Sequence, residues 1–242
     1  MIEKKPIEKL REAVLNSNNE LLEEQVVNSS DINFILDKFT IYTENEDYYD
    51  DVSIYNIVAL SRSDKWIEDV RTWRELVNEW ITGEGWTNQV FDYFESDIKL
   101  QNFPADNATN TLRFIDYDGL LTCSNGNHRL VGACCWISAN NKTKLKQVLI
   151  RDRYDLDPNI KSFFKKLKND QGVFVSRKEK TIRIVCEKYE IEYFYEKGEE
   201  PKKISTKRKY IIIEWVLKKF NLFQNNNFVR VPSKYINIWK TR

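Results

Sequence analysis

Histidine and cysteine, the residues that most often bind structural zinc, are scarce in this sequence. The chain has one histidine and four cysteines, and no two cysteines stand in a C-x-x-C spacing. A structural zinc site needs four such ligands, which usually come in closely spaced pairs. The scarcity argues against structural zinc, and the cysteines are best interpreted as reduced thiols of a cytoplasmic protein.

Long apolar runs are also missing. A membrane-spanning helix needs about 18–20 consecutive apolar residues, whereas the best run here, from Tyr210 to Ile213, is interrupted by Glu214. The N-terminal sequence MIEKKPIEKLREAV is charged and has no apolar segment. We therefore expect no membrane partner, no signal peptide and a cytoplasmic location.

The net charge of +1 conceals an asymmetry along the chain. From Lys161 onward there are 21 lysines and arginines against 9 acidic residues, and before it there are 17 against 28. Such a division predicts two modules with different partners, of which the basic one is a candidate for nucleic acid. The alternative is that the two parts attract each other.

The most informative stretch runs from Leu112 to Ile137 (LRFIDYDGLLTCSNGNHRLVGACCWI). Apolar residues on both sides of Asp118-Gly119 predict two strands joined by a tight turn. Gly126 can adopt a positive φ, so we expect a sharp turn there and then a helix that opens on His128 and Arg129. The first turn of a helix is a ready anion site.

This stretch resembles the nucleotide-binding signature of the ParB/sulfiredoxin-like superfamily, in which a hairpin strand ends in a Gly-x-His-Arg turn before a helix. The matching residues are Gly126, Asn127, His128 and Arg129, and the likeness extends over about residues 102–152. The resemblance implies an α+β fold with a ParB/sulfiredoxin-like domain at residues 86–157. We expect a helical N-terminal region at 1–85 and a basic, strand-rich α+β module at 158–242.

The resemblance also implies a site for nucleotide phosphates, formed by Asn125, Gly126, Asn127, His128 and Arg129. ParB proteins bind a triphosphate with magnesium, so the implied cofactor is an NTP, ATP or CTP, with Mg²⁺. The alternative is an ordinary helix N-terminus capped by Asn125 or Asn127.

The residues of this turn do not fit every reaction that members of the superfamily catalyse. Sulfiredoxins have a catalytic cysteine immediately before the His-Arg pair, where this chain has Asn127. Other members use a carboxylate as general base, and Asp116 is the best candidate for that role. His128 is the second candidate catalytic residue. Glu95 is a further carboxylate that could lie near the turn. We assign Asp118 to the hairpin turn and predict no metal held by protein side chains.

Several other elements are predicted from local patterns. Tryptophans and aliphatic residues at helical spacing predict an amphipathic helix over Asp64–Ile81, and a second helix is expected over Trp86–Leu100. We interpret the acidic run Glu44–Asp51 as a solvated loop. Three strands are expected between Val173 and Tyr195, followed by a basic turn over Lys197–Lys209.

This basic turn contains the nucleic-acid candidates Lys202, Lys203, Lys207, Arg208 and Lys209. Their side chains could contact phosphates, and a solvated hairpin tip is the alternative. The leading hypothesis is a nucleotide-binding protein, an NTPase or kinase if it is an enzyme, acting on or near DNA. The second is a non-enzymatic DNA- or protein-binding protein of a phage or plasmid.

Overall fold

The computed structural model describes residues 4–44, 46–61, 71–105, 108, 111–169, 171–208 and 227–242. The chain forms two compact units. The first comprises Met1–Asn33 and Tyr42–Tyr154, and the second comprises Phe34–Ile41 and Asp155–Arg242. Both contain helices and sheets, so the fold class is mixed α+β as predicted.

The helices and strands from the N-terminus to residue 156 alternate irregularly. In chain order they are α1 (Pro6–Leu15), β1 (Gln25–Asn28), α2 (Ser29–Phe39), β2 (Thr40–Glu44), β3 (Tyr48–Ser53), β4 (Ile57–Leu60), β5 (Arg71–Thr72), α3 (Trp73–Glu79), α4 (Val90–Glu95), β6 (Arg113–Tyr117), β7 (Leu120–Asn125), α5 (Asn127–Ala139) and β8 (Lys144–Leu156).

These strands form one sheet in the order β2-β8-β6-β7-β4-β1-β5, with β3 also paired to β8. β1, β4 and β7 run parallel to one another, whereas β6 and β7 form an antiparallel hairpin. Because parallel strands end at the same edge of a sheet, the C-terminal ends of β1, β4 and β7 lie side by side. The edge where β4 and β7 end carries the candidate site.

The predicted division at residue 85 differs from what the structure shows. The N-terminal stretch contributes β4, which pairs with β7, and β3, which pairs with β8. It is therefore not a separate helical region, since its strands complete the sheet of the central part. The last boundary between the units falls between Tyr154 and Asp155, and the segment Phe34–Ile41 also belongs to the second unit.

α5 is the central helix of the first unit. It packs against α1, α3 and α4, and its buried residues run almost without a break from Leu130 to Ser138. The adjacent Cys134 and Cys135 are completely buried, where they pack as small apolar side chains. A helix enclosed in this way has a fixed N-terminus.

The second unit contains an antiparallel sheet in the order β12-β11-β10-β9-β13. Phe39, Phe164, Tyr195 and Trp239 form its aromatic core, in which the rings of Phe164 and Trp239 stack with centroids 5.8 Å apart. Its remaining elements are α6 (Pro158–Lys166), β9 (Gly172–Ser176), β10 (Thr181–Val185), β11 (Tyr189–Phe194), β12 (Lys202–Arg208), β13 (Phe228–Arg230) and α7 (Ser233–Thr241).

Four local predictions need correction or lie outside the described ranges. Half of the acidic run expected as a loop, residues 48–51, belongs to strand β3, which pairs with β8. The helix expected over Trp86–Leu100 is shorter and consists of α4 followed by a 3-10 turn at Ile98–Leu100. Most of the basic turn is strand β12. Of the helix predicted over Asp64–Ile81, residues 64–70 lie outside the described ranges and α3 accounts for Trp73–Glu79.

Asp157 connects two segments of the second unit. Its side chain is fully buried; Oδ1 accepts hydrogen bonds from the backbone amides of Asn159 (2.8 Å) and Ile160 (3.4 Å), and Oδ2 accepts one from Gly198. The carboxylate thus caps α6 and holds the turn at Gly198. Burial raises the pKa of the nearby Tyr195 phenol, and the charge of Asp157 raises it further.

Replacement of Asp157 by alanine should therefore destabilise the second unit. The loss of a helix cap and of a buried hydrogen bond to a charged acceptor should cost about 2–3 kcal/mol, measured as a lower urea midpoint. Asp157→Asn retains one acceptor and should lose less. Lys165→Ala, at an exposed position of the same helix, is the control and should change the stability by no more than about 0.5 kcal/mol. Equal midpoints for Asp157→Ala and Lys165→Ala would show that the cap is not important.

Candidate functional site

The β6–β7 hairpin delivers the chain to the candidate site, and the structure confirms the predicted turn. Asp118 and Gly119 both have positive φ, at 52° and 94°, which is the geometry of a two-residue hairpin loop. Phe114 lies opposite Cys123, and both are fully buried. The hairpin therefore has one face in the core, which sets its register and the direction in which β7 ends.

Gly126 makes the sharp turn between β7 and α5. Its φ of 87° and ψ of 30° are left-handed, a conformation that other residues adopt at a cost. A Cβ atom at this position would also lie 3.1 Å from Leu112 Cδ1 and 3.3 Å from the Leu112 Cα. Glycine is thus required for both conformation and space, and α5 begins at Asn127, one residue before the predicted start.

Asn127 connects this turn to the end of the neighbouring strand. Its Oδ1 accepts a hydrogen bond from the backbone amide of Ser61 at 3.2 Å, and its Nδ2 donates one to Ser61 Oγ at 3.2 Å. The Ser61 amide also donates to the carbonyl of Cys123 at 2.9 Å. Ser61 follows β4 directly, so the parallel pairing of β4 and β7 places the two polar groups together.

Arg129 lies against an aromatic wall. Its guanidinium carbon is 4.3 Å from the centroid of the Phe103 ring, a distance typical of a cation–π contact. Burial raises the pKa of the Tyr93 phenol, while the charge of Arg129 and its hydrogen bond to that side chain act in the opposite direction. These contacts hold the charge of Arg129 at the helix start.

A cavity of about 680 Å³ opens at this corner. One part of its wall is polar and comes from Ser61 and the turn, and the other part is apolar and includes two large aromatic rings. Its lining residues are Ser61, Trp86, Phe103, Ala105, Ala108, Asn125, Gly126, Asn127, His128 and Arg129. All five residues predicted to hold phosphate are among them. His128 is exposed.

Ser61, Trp86 and Phe103 were not predicted as site residues. Trp86 is half-buried, and its ring makes edge contacts with Phe94 and Phe103 at centroid distances of 6.0 and 5.6 Å. The only sequence signal for Ser61 is its place directly after the buried strand Ile57–Leu60. The three residues reach the cavity by long-range pairing and packing.

Asp116, the predicted general base, is not part of this cavity lining. It pairs with Leu121 in the hairpin, four residues before Asn125, which corresponds to about 13 Å along a strand. Its carboxylate accepts a hydrogen bond from the Gly119 amide at 2.6 Å and one from the Tyr48 hydroxyl at 3.5 Å. The antiparallel register therefore places Asp116 at the opposite end of the hairpin, where it supports the turn.

The other carboxylates near the hairpin also have structural partners. Asp118 is a turn residue, and Glu95 accepts a hydrogen bond from Trp136 Nε1 at 2.8 Å and pairs with Lys142 at 2.5 Å. Among the described residues, the cavity lining contains no carboxylate and no group of three potential metal ligands is present. These residues do not fit direct coordination of Mg²⁺ by the protein.

Thiol chemistry does not fit this site either. Cys123 is fully buried and donates a hydrogen bond to the Asn125 carbonyl at 3.1 Å. Burial raises the pKa of its thiol to about 12, so the reactive thiolate is scarce at neutral pH. Asn127, which stands where sulfiredoxins have their cysteine, forms hydrogen bonds with Ser61 instead.

The predicted nucleic-acid residues lie in the second unit. Lys202, Lys203, Lys207 and Arg208 are all exposed on β12, whereas Lys209 is outside the described ranges. Lys202 pairs with Glu199 at 2.7 Å, and Lys207 stands opposite Glu190 across the strand pair. Nearby carboxylates thus offset part of the positive charge of this strand.

Comparison of the chain with protein-family models, curated proteins and solved structures finds no match. The likeness to the ParB/sulfiredoxin-like superfamily rests on the residues of the turn and stays a prediction. Among the described residues, no helix combines the length and the apolar character that crossing a membrane requires.

Proposed function

We propose that this chain is a nucleotide-binding protein that holds phosphate at the Gly126–Arg129 turn, with a base against the aromatic wall of the same cavity. The observation that supports it best is the composition of the 680 Å³ cavity, which joins a helix start and an arginine to two large aromatic rings. Cavities of about 300–1,000 Å³ accommodate ligands of nucleotide size.

The polar end of the cavity suits a phosphate group. The first intrahelical bond of α5 runs from the Leu130 amide to the Gly126 carbonyl at 2.9 Å, and the amides before it have no acceptor within the helix. The helix dipole adds positive potential at this end. Arg129 contributes a planar cation that can donate two parallel hydrogen bonds to phosphate oxygens.

The aromatic end of the cavity suits a nucleobase. Trp86 is half-buried and held by its contacts with Phe94 and Phe103. An aromatic ring fixed in this manner offers a stacking surface without much loss of side-chain entropy. Base stacking on such rings contributes about 1–3 kcal/mol per base.

Binding is the core of this proposal, and hydrolysis or transfer of phosphate would be an addition to it. His128 is the titratable candidate for acid–base work in the described lining. Asp116 is excluded from that role by its position at the far end of the hairpin. The described lining supplies no carboxylate for Mg²⁺, so an NTP such as ATP or CTP would have to bring the ion on its own phosphates.

A second candidate function, binding of DNA by β12, is favoured by one observation. Four exposed cations stand within the seven residues of this strand. Exposed lysines and arginines at this density can contact successive phosphates of a nucleic acid.

The nucleotide proposal predicts saturable binding of at least one of the four common NTPs, measured by isothermal titration with and without Mg²⁺. Arg129→Ala should weaken binding ten- to a hundredfold, because it removes a charge-assisted hydrogen bond worth about 1.5–3 kcal/mol. The affinity of Arg129→Lys should lie between those of the wild type and Arg129→Ala, since lysine keeps the charge without the planar guanidinium. The control is Arg177→Ala, which removes an arginine similarly placed 4.4 Å over Phe34. Wild-type protein that binds none of the four nucleotides would refute the proposal.

The DNA candidate predicts salt-sensitive binding that depends on β12. Neutralisation of Lys203, Lys207 and Arg208 to glutamine should weaken binding and flatten the plot of log affinity against log salt, by about 0.9 for each phosphate that these side chains neutralise in the wild type. Arg129→Ala is the control and should leave this binding unchanged. The candidate fails if the triple variant retains both the affinity and the salt slope of the wild type, measured by fluorescence anisotropy with a labelled duplex.

A further inference from the structure

A second cavity, of about 370 Å³, borders the first one. Its lining comprises Arg113, Ser124, Asn125, Arg151 and Asp152. Asn125 lines both cavities, so this residue joins their linings. The two arginines contribute two positive charges and Asp152 one negative charge, so the lining has a net charge of +1.

The pairing of β6 with β8 brings the two arginines together. Arg113 lies opposite Leu149 in this parallel pair, and the register shifts between Phe114 and Ile115, so that Arg151 stands as an extra residue of β8 between Ile150 and Asp152. Ser124 Oγ donates a hydrogen bond to the Arg113 carbonyl at 3.2 Å. This bond ties the end of β7 to the start of β6 beneath the cavity.

The guanidinium of Arg113 has unused hydrogen-bonding capacity. Its Nε is buried and has no hydrogen-bond partner within the described ranges. Over the same ranges, neither Arg113 nor Arg151 forms an ion pair with a carboxylate. The two arginines thus bring positive charges to the lining that no carboxylate within the described ranges holds in an ion pair, and an anionic ligand in the cavity could pair with them.

We propose that this second cavity binds a second phosphate group of the ligand whose first phosphate lies at the Gly126–Arg129 turn. The inference rests on the proposed nucleotide binding and extends it to a ligand with two separately held phosphates. Adjacent strands are about 4.8 Å apart, so β6 and β8 lie about 5 and 10 Å from β7. Either the tail of a triphosphate or the next phosphate of a nucleic acid strand can span the step from β7 to β6, and the long side chain of Arg151 can make up the remaining distance from β8.

Titration calorimetry with three matched ligand sets tests the second phosphate site and separates its two sources. The sets are the four nucleoside 5′-monophosphates, the corresponding 5′-triphosphates, and the corresponding 3′,5′-bisphosphates. Wild-type protein should bind the triphosphate or the bisphosphate at least tenfold more tightly than the monophosphate. A gain confined to the bisphosphate identifies a nucleic acid strand as the source, and a gain confined to the triphosphate identifies a nucleotide tail.

Arg151→Gln should abolish this gain and leave the Kd of the monophosphate unchanged. Lys144→Gln, which removes one exposed positive charge from the same strand β8, is the matched control and should retain the gain. Arg113→Lys should reduce the gain in part, because it keeps a charge but loses the planar guanidinium that can donate two hydrogen bonds to phosphate.

Two results would overturn the inference. In the first, the wild type binds the monophosphate in an Arg129-dependent manner but shows no gain with either larger ligand, and nucleotide binding then stands without the second site. In the second, Arg151→Gln weakens all three ligand sets equally, which shows a general charge effect. A wild type that binds no member of any set refutes the second site together with the proposed function.

Discussion

The parallel pairing of β4 with β7 is the interaction on which the candidate site depends. It brings the chain after Leu60 beside the chain after Asn125, although more than sixty residues separate them in sequence. The two hydrogen bonds between Asn127 and Ser61 then join these ends. Without this pairing, Ser61 would not lie beside the glycine turn, and the polar part of the cavity wall would be incomplete.

The rigidity of the corner comes from α5. Because the helix is buried against α1, α3 and α4, its N-terminus cannot shift without disturbing the core. A Cβ atom at Gly126 would press on Leu112, and Arg129 is packed on Phe103. Donors held in place before a ligand arrives lose little entropy on binding, which favours affinity for an anion.

The local part of the site was accessible from the sequence because its signals are local. Asp118-Gly119 encodes a hairpin turn, and Gly126 before a run of helical residues encodes a turn into a helix. The structure has both within one residue of the expected position. The apolar wall has no such signal, since Trp86 and Phe103 reach the cavity through packing with Phe94 and through the course of a loop.

Most of the failed predictions share one cause, which is that strand register and sheet order are long-range properties. Asp116 is near the turn in sequence, but the antiparallel register moves it to the far end of the hairpin. The acidic run that contains Tyr48 has a loop-like composition, and so has the basic segment at Lys202–Arg208. Pairing with β8 makes part of the acidic run a strand, and pairing with β11 makes the basic segment a strand. Charged side chains on an exposed strand face are compatible with strand pairing, so composition alone could not distinguish a strand from a loop.

The most direct test of the central claim is a two-dimensional ¹H–¹⁵N NMR titration of the full chain with the NTP set. If the Gly126–Arg129 turn holds phosphate, the amide resonances of Gly126, Asn127 and His128 should shift saturably, together with the indole N–H of Trp86. The Arg129→Ala variant should show much weaker shifts at the same concentrations. Saturable shifts confined to other parts of the chain, with these four resonances unmoved, would contradict the claim.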